Sequence, residues 1–272
     1  MRSALSFMES LAHRAAETSR TWAGGVPIER KSDDSPVTEA DRQIQKLIVD
    51  AVAKSFPEHA FIGEERIEHN HSLPQPGDVR YCWVADPLDG TRNFTRQLPF
   101  VATSIALLDG NSPIVALTHE HNSGWTCSAI AGHGVLCNGR PVEVAARPPG
   151  QDTFIAIPSG RHRPILPVVT RWIDRYILRN VGSTCLHMAY LASGGVDAVY
   201  CHECKIWDVA AGFLMITEAG GRCADLGGSP LVLDPRGDQE RNVPFFAATP
   251  MVYDSLLADL RPADHPPPPD IR

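Results

Sequence analysis

The chain has 272 residues, of which 43% are hydrophobic and 21% charged, and its net charge is −7. This composition supports a buried core and excludes a disordered or fibrous chain; the length suits one large domain or two small ones. The acidic balance argues against a clustered basic surface for nucleic acid, and no apolar run of ~18 residues exists to span a membrane.

Residues 3–22 place Leu5, Met8, Leu11, Ala12, Ala15 and Ala16 at helical spacing, and Gly24, Gly25 and Pro27 end that helix. The stretch after Arg2 is amphipathic rather than an apolar block, so no signal peptide is expected. Seven scattered cysteines do not suggest a disulfide framework, and the expected location is the cytoplasm. A polar stretch, Glu29 to Pro36, precedes a second helix that begins near Thr38 and buries Ile44, Leu47, Ile48, Ala51 and Val52. Phe61-Ile62 and Tyr81 to Ala85 read as strands. Thr103 to Leu108, Ile114 to Thr118 and Gly124 to Ala129 follow as a meander turned at Asp109-Gly110 and Asn122-Ser123-Gly124.

The rhythm then changes. Thr153 to Ile157 reads as strand, Leu166 to Tyr176 as helix, Ile177 to Asn180 as extended, and Thr184 to Ala192 as helix. Val196 to Tyr200 is a strand, Asp208 to Ala219 a helix, Phe245 to Ala247 a strand and Met251 to Leu260 the last helix. This order predicts a layered α+β or α/β architecture. Arg147-Pro148-Pro149-Gly150 divides an N-terminal half (1–147), which carries the antiparallel sheet, from an α/β half (148–261). The tail, 262–272, contains Pro266 to Pro269 and is expected to be mobile.

The chemistry concentrates in acids at the ends of elements. Asp86-Pro87-Leu88-Asp89-Gly90-Thr91 follows the strand Tyr81 to Ala85, Gly63-Glu64-Glu65 follows another, and Asp41 lies on the helix after Pro36-Val37-Thr38. Taken alone, Asp-x-x-Asp-Gly reads equally well as an ordinary turn, and Asp208, opening the apolar helix Val209 to Met215, reads as an N-cap. Five acids so placed need hydrogen bonds or hard cations for compensation, and Mg²⁺, which prefers carboxylate oxygen, fits them.

Asp86-Pro-Leu-Asp-Gly-Thr91 and Trp207-Asp-Val-Ala-Ala-Gly212 resemble the two signature motifs of the inositol monophosphatase family. Gly63-Glu64-Glu65 and Ser35-Pro-Val-Thr-Glu-Ala-Asp41 match two further segments, in order, from about residue 5 to residue 260. The resemblance implies an α-β-α-β-α layered sandwich and a lithium-sensitive, Mg²⁺-dependent phosphomonoesterase holding two to three ions. It also implies a homodimer acting on a small phosphorylated metabolite such as inositol 1-phosphate, through a metal-activated water. On this resemblance Glu64, Asp86 and the Leu88 carbonyl would hold one Mg²⁺, and Asp86, Asp89 and Asp208 a second. Glu64 would help a third through water. Asp41, Thr91 and Glu64 would be the catalytic set, with Asp41 and Thr91 orienting and deprotonating the water. The N–H groups of Gly90 and Thr91 would receive the phosphate.

Substrate contacts would come from Asp89, Gly90, Thr91, Ser159, Gly182, Ser183, Thr184, Cys201 and Asp208. Gly182-Ser183-Thr184 equally suits a plain helix N-cap. Lys31 falls where the family has a basic residue on a loop near the third metal, and equally suits a solvated surface. Inositol-specific members carry a glutamate where this chain has Cys201. A thiol is a poor acceptor for a hydroxyl, so substrate choice stays open. Glu203 substitutes only if strand geometry persists beyond Cys201. Cys201 and Cys204, lacking a second ligand pair, read as partly exposed thiols rather than a zinc site. His119-Glu120-His121 reads as a turn. Histidinol phosphate, fructose 1,6-bisphosphate and 3′-phosphoadenosine 5′-phosphate are alternative substrates. An accessory role in transcription antitermination is the alternative of another class.

Overall fold

Helix α1 (Arg2–Thr21) forms where apolar residues recur every three or four positions, and it buries Ala4, Met8, Leu11, Ala12, Ala15 and Ala16. A hairpin of β1 (Ile28–Arg30) and β2 (Pro36–Thr38) occupies part of the stretch whose polarity gave no strand signal. It leads into α2 (Glu39–Ser55), whose buried face carries Asp41 and Gln45 among Ala40, Ile44, Ile48, Val49 and Val52. Then come β3 (Ala60–Gly63), β4 (Tyr81–Asp89), α3 (Thr91–Thr95), β5 (Ala102–Asp109), β6 (Ser112–Glu120), β7 (Thr126–Ile130), β8 (Val135–Cys137) and β9 (Arg140–Val142). The remainder is β10 (Phe154–Ala156), α4 (Pro167–Ile173), β11 (Ile177–Arg179), α5 (Thr184–Ala192), β12 (Ala198–Cys201), α6 (Ile206–Glu218), β13 (Arg222–Ala224), β14 (Phe245–Ala248) and α7 (Pro250–Leu257). The computed structural model describes residues 1–22, 28–30, 36–65, 73–159, 167–239 and 241–260. Lys31 and the tail 262–272 lie outside the described residues.

Strands β3 to β9 form one sheet in sequence order, antiparallel except for the β3–β4 pair. The second sheet has the order β11-β10-β12-β14-β13, with β10 parallel to both its neighbours. Side chains alternate across each strand and so divide into three cores. Trp83, Ile105, Leu107, Val115 and Leu117 pack on α1 and α2. Cys82, Val84, Ala106, Leu108 and Ala116 face the other way, onto α5 and α6, whose far side meets Ala156, Val199, Phe245 and Ala247 of the second sheet. That sheet's outer face, with Ile155, Tyr200 and Phe246, is covered by α4 and α7. The result is the α-β-α-β-α sandwich that the resemblance implied. Helices α5 and α6 are apolar nearly all round because both flanks are covered.

Three sequence readings need correction. Cys127 and Cys137 face each other directly across β7 and β8 and form a disulfide, while the other five cysteines are free. Pairing register brings them together, and spacing in sequence does not reveal it. Cys201 and Cys204 are buried, not partly exposed. Cys201 lies in β12 opposite Phe245, and the Cys204 thiol donates to the Val243 carbonyl at 2.9 Å. His119 and Glu120 end β6 rather than forming a turn, and they and His121 are buried.

The two central helices approach closely at Gly212. A Cβ there would lie 2.5 Å from Met188 Cβ. In an exposed helix Gly→Ala gains up to ~1 kcal/mol. Here Gly212→Ala is expected to lose about 1–3 kcal/mol through overpacking. Urea unfolding measures this, and a gain in stability would show that α5 and α6 do not meet at this point.

Candidate functional site

Strand β4 runs past its apolar stretch through Asp86 to Asp89. Asp86 pairs with Ser104 and Asp89 with Ala102, so three steps on β4 oppose two on β5. Residues three apart on a regular strand face opposite sides; the extra residue of this bulge restores the phase and turns both carboxylates to one side. Pro87, which has no N–H, stands inside the bulge, and the Leu88 amide donates to Asp86 Oδ1 at 3.0 Å. Thr103 Oγ lies 2.7 Å from the Pro87 carbonyl and 2.8 Å from His121 Nε2. His121 Nδ1 is 2.9 Å from Ser19 Oγ, which is in turn 2.9 Å from the Ala16 carbonyl. Burial holds the His121 imidazole down at a pKa of about 3. Gly90 has φ of +92°, and a Cβ on it would meet the Phe100 carbonyl at 2.6 Å, so the turn after Asp89 requires glycine.

Asp41 is the third residue of α2. Its Oδ2 accepts the Thr38 amide at 2.7 Å and the Thr38 hydroxyl, while Oδ1 lies 3.1 Å from Thr91 Oγ. The Thr91 hydroxyl is also 3.2 Å from the Leu88 carbonyl, so its single proton bridges or chooses between Leu88 and Asp41. One turn further along α2, Gln45 accepts the Glu65 amide at 3.0 Å and donates to the Glu65 carbonyl. This fixes the segment that carries Glu64 as it leaves β3.

The opposite wall comes from α5 and α6. Ser183 is the N-cap of α5 and accepts the Leu186 amide; its hydroxyl donates to Asp89 Oδ2 at 2.6 Å, and the Cys185 amide donates to the same oxygen at 2.7 Å. Asp208 is not an N-cap as read from sequence. It stands third in α6 and reaches back to the Lys205 amide at 2.6 Å. Asp41 and Asp208 thus close their helices in the same way.

Electrostatics follow from crowding. Burial raises Asp86 well above the usual carboxylate range, and Glu64, Asp89 and Asp208 push it further. Asp89 is also raised by burial, against the Ser183 and Cys185 hydrogen bonds that lower it. Burial and the charges of Asp89 and Glu64 lift Asp208 to about 8, and its carboxyl is hydrogen-bonded to Asp86. Two carboxyl groups in that contact need a proton or a cation between them. Burial raises Asp41 to about 6, with Glu64 adding to the rise. The strongest charges acting on Asp86 and Asp208 are other carboxylates. Such a set of hard oxygen donors fits divalent cations.

Glu64, Asp86, Leu88, Asp89, Gly90, Thr91, Asp41, Ser183 and Asp208 therefore come together, with Gly182 and Thr184 beside Ser183. Ser159 does not share these contacts. It is exposed and accepts the Asn180 amide at 3.1 Å. The Cys201 thiol turns to the Glu203 carbonyl, and Glu203, beyond the strand end, is exposed. Sequence reasoning missed Gln45 and Cys185. Gln45 had a signal, being a polar residue one turn after Asp41 on an apolar stripe; Cys185 had none.

The family model described as "Inositol monophosphatase family" matches residues 2–260. Inositol monophosphatase 2 of Solanum lycopersicum is 35% identical over 222 residues, covering 78% of this chain and 79% of its own. Nus factor SuhB of Xylella fastidiosa is 32% identical over 207 residues, with 74% and 72% covered. The solved extragenic suppressor protein suhB of Bartonella henselae superposes with a TM-score of 0.83 at 27% identity, over 96% of this chain and 99% of that one.

A cation entering the acid cluster must displace the protons that its raised carboxyls hold. Asp208, at about 8, is largely protonated at pH 6 and about half ionised at pH 8. Mg²⁺ binding should therefore strengthen with pH. Thermal unfolding should show a larger Mg²⁺-induced rise in Tm at pH 8 than at pH 6. Saturation at a hundred times Kd is worth about 2.7 kcal/mol. Equal rises at both values would argue against a shared acid cluster.

Proposed function

This chain belongs to the inositol monophosphatase family and is a phosphoric monoester hydrolase, and from that premise we propose that it hydrolyses a small polyol or sugar phosphate, inositol 1-phosphate in kind, with Mg²⁺. The observation that carries the reading is the gathering of Asp86, Asp89 and Asp208 beside Glu64, with Asp41 and Thr91 joined at the rim. Glu64, Asp86 and the Leu88 carbonyl would hold one ion, and Asp86, Asp89 and Asp208 another; Glu64 would help a third through water. When bound, Mg²⁺ offsets the charge of the acids and of the phosphate and makes a water easier to deprotonate.

The protein's own groups do the rest. Thr91 Oγ is an acceptor and donor beside the Asp41 carboxylate, so a water proton passes to Thr91 Oγ while Thr91 gives its own to Asp41. An Asp41 pKa near 6 leaves that carboxylate ionised and basic at pH 7. Gly90 and Thr91 present backbone N–H groups to phosphate oxygens, and Ser183 holds Asp89 in place. Phosphoryl transfer needs mainly such positioning and charge neutralisation. Beyond the phosphate, the buried Cys201 offers no carboxylate to polyol hydroxyls, which supports a broad substrate range.

A second reading, an accessory role in transcription antitermination, is favoured by the likeness to the Xylella Nus factor. Retention on immobilised RNA polymerase and antitermination factors would support it.

Phosphate esters assayed under Mg²⁺ test the first reading, with inositol 1-phosphate, fructose 1,6-bisphosphate, histidinol phosphate and 3′-phosphoadenosine 5′-phosphate in the panel. The polyol and sugar esters should give the highest kcat/KM, and chelator should abolish turnover. Asp89→Asn and Asp208→Asn should each lose ~10²-fold or more in kcat with the fold intact. Full turnover in chelator would refute the reading.

A further inference from the structure

The side-chain donor atoms gathered most tightly at the site include one the phosphatase reading leaves unused. One carboxylate oxygen each of Asp86 and Asp89 and the Cys185 sulfur lie within 4.8 Å of one another, the one such grouping of three His, Cys, Asp or Glu among the described residues. Cys185 is the second residue of α5 and is fully buried. Its sulfur is 3.5 Å from the Asp208 carbonyl and hydrogen-bonded to the Ser104 side chain. Its position is fixed at both ends of the residue, because its amide is the one that holds Asp89.

We propose that Cys185 makes this cage a high-affinity site for a thiophilic divalent cation, Zn²⁺ or Cd²⁺, bound by Asp86, Asp89 and Cys185 in competition with Mg²⁺. The inference rests on the reading that the acid cluster holds cations. Sulfur separates the two kinds of ion. Mg²⁺ takes oxygen ligands, keeps its waters and gains nothing from a thiol. Zn²⁺ bonds thiolate at about 2.3 Å and carboxylate at about 2.0–2.2 Å. Tetrahedral bonds of those lengths set ligand atoms about 3.5 Å apart, so an ion draws the three atoms together by roughly 1 Å, within reach of side-chain rotation. On binding, the Cys185 S–H bond breaks, its proton goes to solvent, and a sulfur–metal bond forms with no change of oxidation state. The consequence is a hydrolase that Mg²⁺ supports and traces of Zn²⁺ or Cd²⁺ arrest.

Cd²⁺ titrated into the metal-free 272-residue chain tests this. A thiolate-to-cadmium charge-transfer band should grow to one equivalent with release of a proton. It should persist in Cys201→Ser and vanish in Cys185→Ser and Cys185→Ala, whose Cd²⁺ Kd should weaken at least tenfold. X-ray absorption on the wild-type chain with one Cd²⁺ needs no variant, and one sulfur neighbour is expected. No sulfur, two sulfurs (the Cys201 and Cys204 pair), or an undiminished band in Cys185→Ser would overturn the proposal. Hydrolysis by the wild-type chain in Mg²⁺ without Cd²⁺ is a separate reading. Its loss would sink the phosphatase function while leaving the sulfur count to decide this site.

Discussion

Carboxylates cannot share a dry interior in ionised form, and the centre of this protein is arranged around that constraint. Asp86, Asp89 and Asp208 are drawn from β4 and α6, with Glu64 at the end of β3, and the strongest charges each of the three aspartates feels are other acids. Proton sharing or cation binding relieves the repulsion, so the fold stores an appetite for positive charge at the seam between its two sheets. Cations held there would give a chain of net charge −7 a means to attract an anionic phosphate.

Local devices make the crowding tolerable. The β4 bulge aligns two aspartates that regular pleating would send apart. Amides at the starts of α2, α5 and α6 each donate to one of the acids, so these three helices contribute fixed positive dipole as well as packing. Contacts around Asp89 and Asn93 also join segments distant in the chain. Ser183 and Cys185 grip Asp89, and Asn93 of α3 donates to the Val181 carbonyl just before α5.

Much of this was legible in the sequence because the decisive signals are local. Apolar spacing located most of the helices and strands, and acids next to Pro, Gly and Trp marked where elements end. What escaped depends on pairing across distance. The bulge exists only relative to β5, so the reading ended the strand at Ala85. The Cys127–Cys137 bridge follows from strand register, and the burial of Cys201 and Cys204 from β14 and the segment before it. Strands β1 and β2 are only three residues each and border a polar stretch, and that polarity hid them. His119-Glu120-His121 looked like a turn because three polar residues in a row seldom enter a core, yet here each is buried with a hydrogen-bond partner, Thr126 for His119, Asn122 for Glu120 and Ser19 for His121.

The line from Ser19 through His121 and Thr103 to the Pro87 carbonyl has a consequence beyond packing. Each hydroxyl carries one hydrogen and the neutral imidazole one, so the relay is polarised in a single direction at any instant. In one orientation the last hydrogen serves Pro87 inside the bulge. In the other every donor reverses, the last hydrogen serves Ala16 on α1, and the bulge carbonyl loses its partner. An outer helix and the backbone beside the acids therefore compete for the same hydrogen, and the tautomer of one imidazole records which of them holds it.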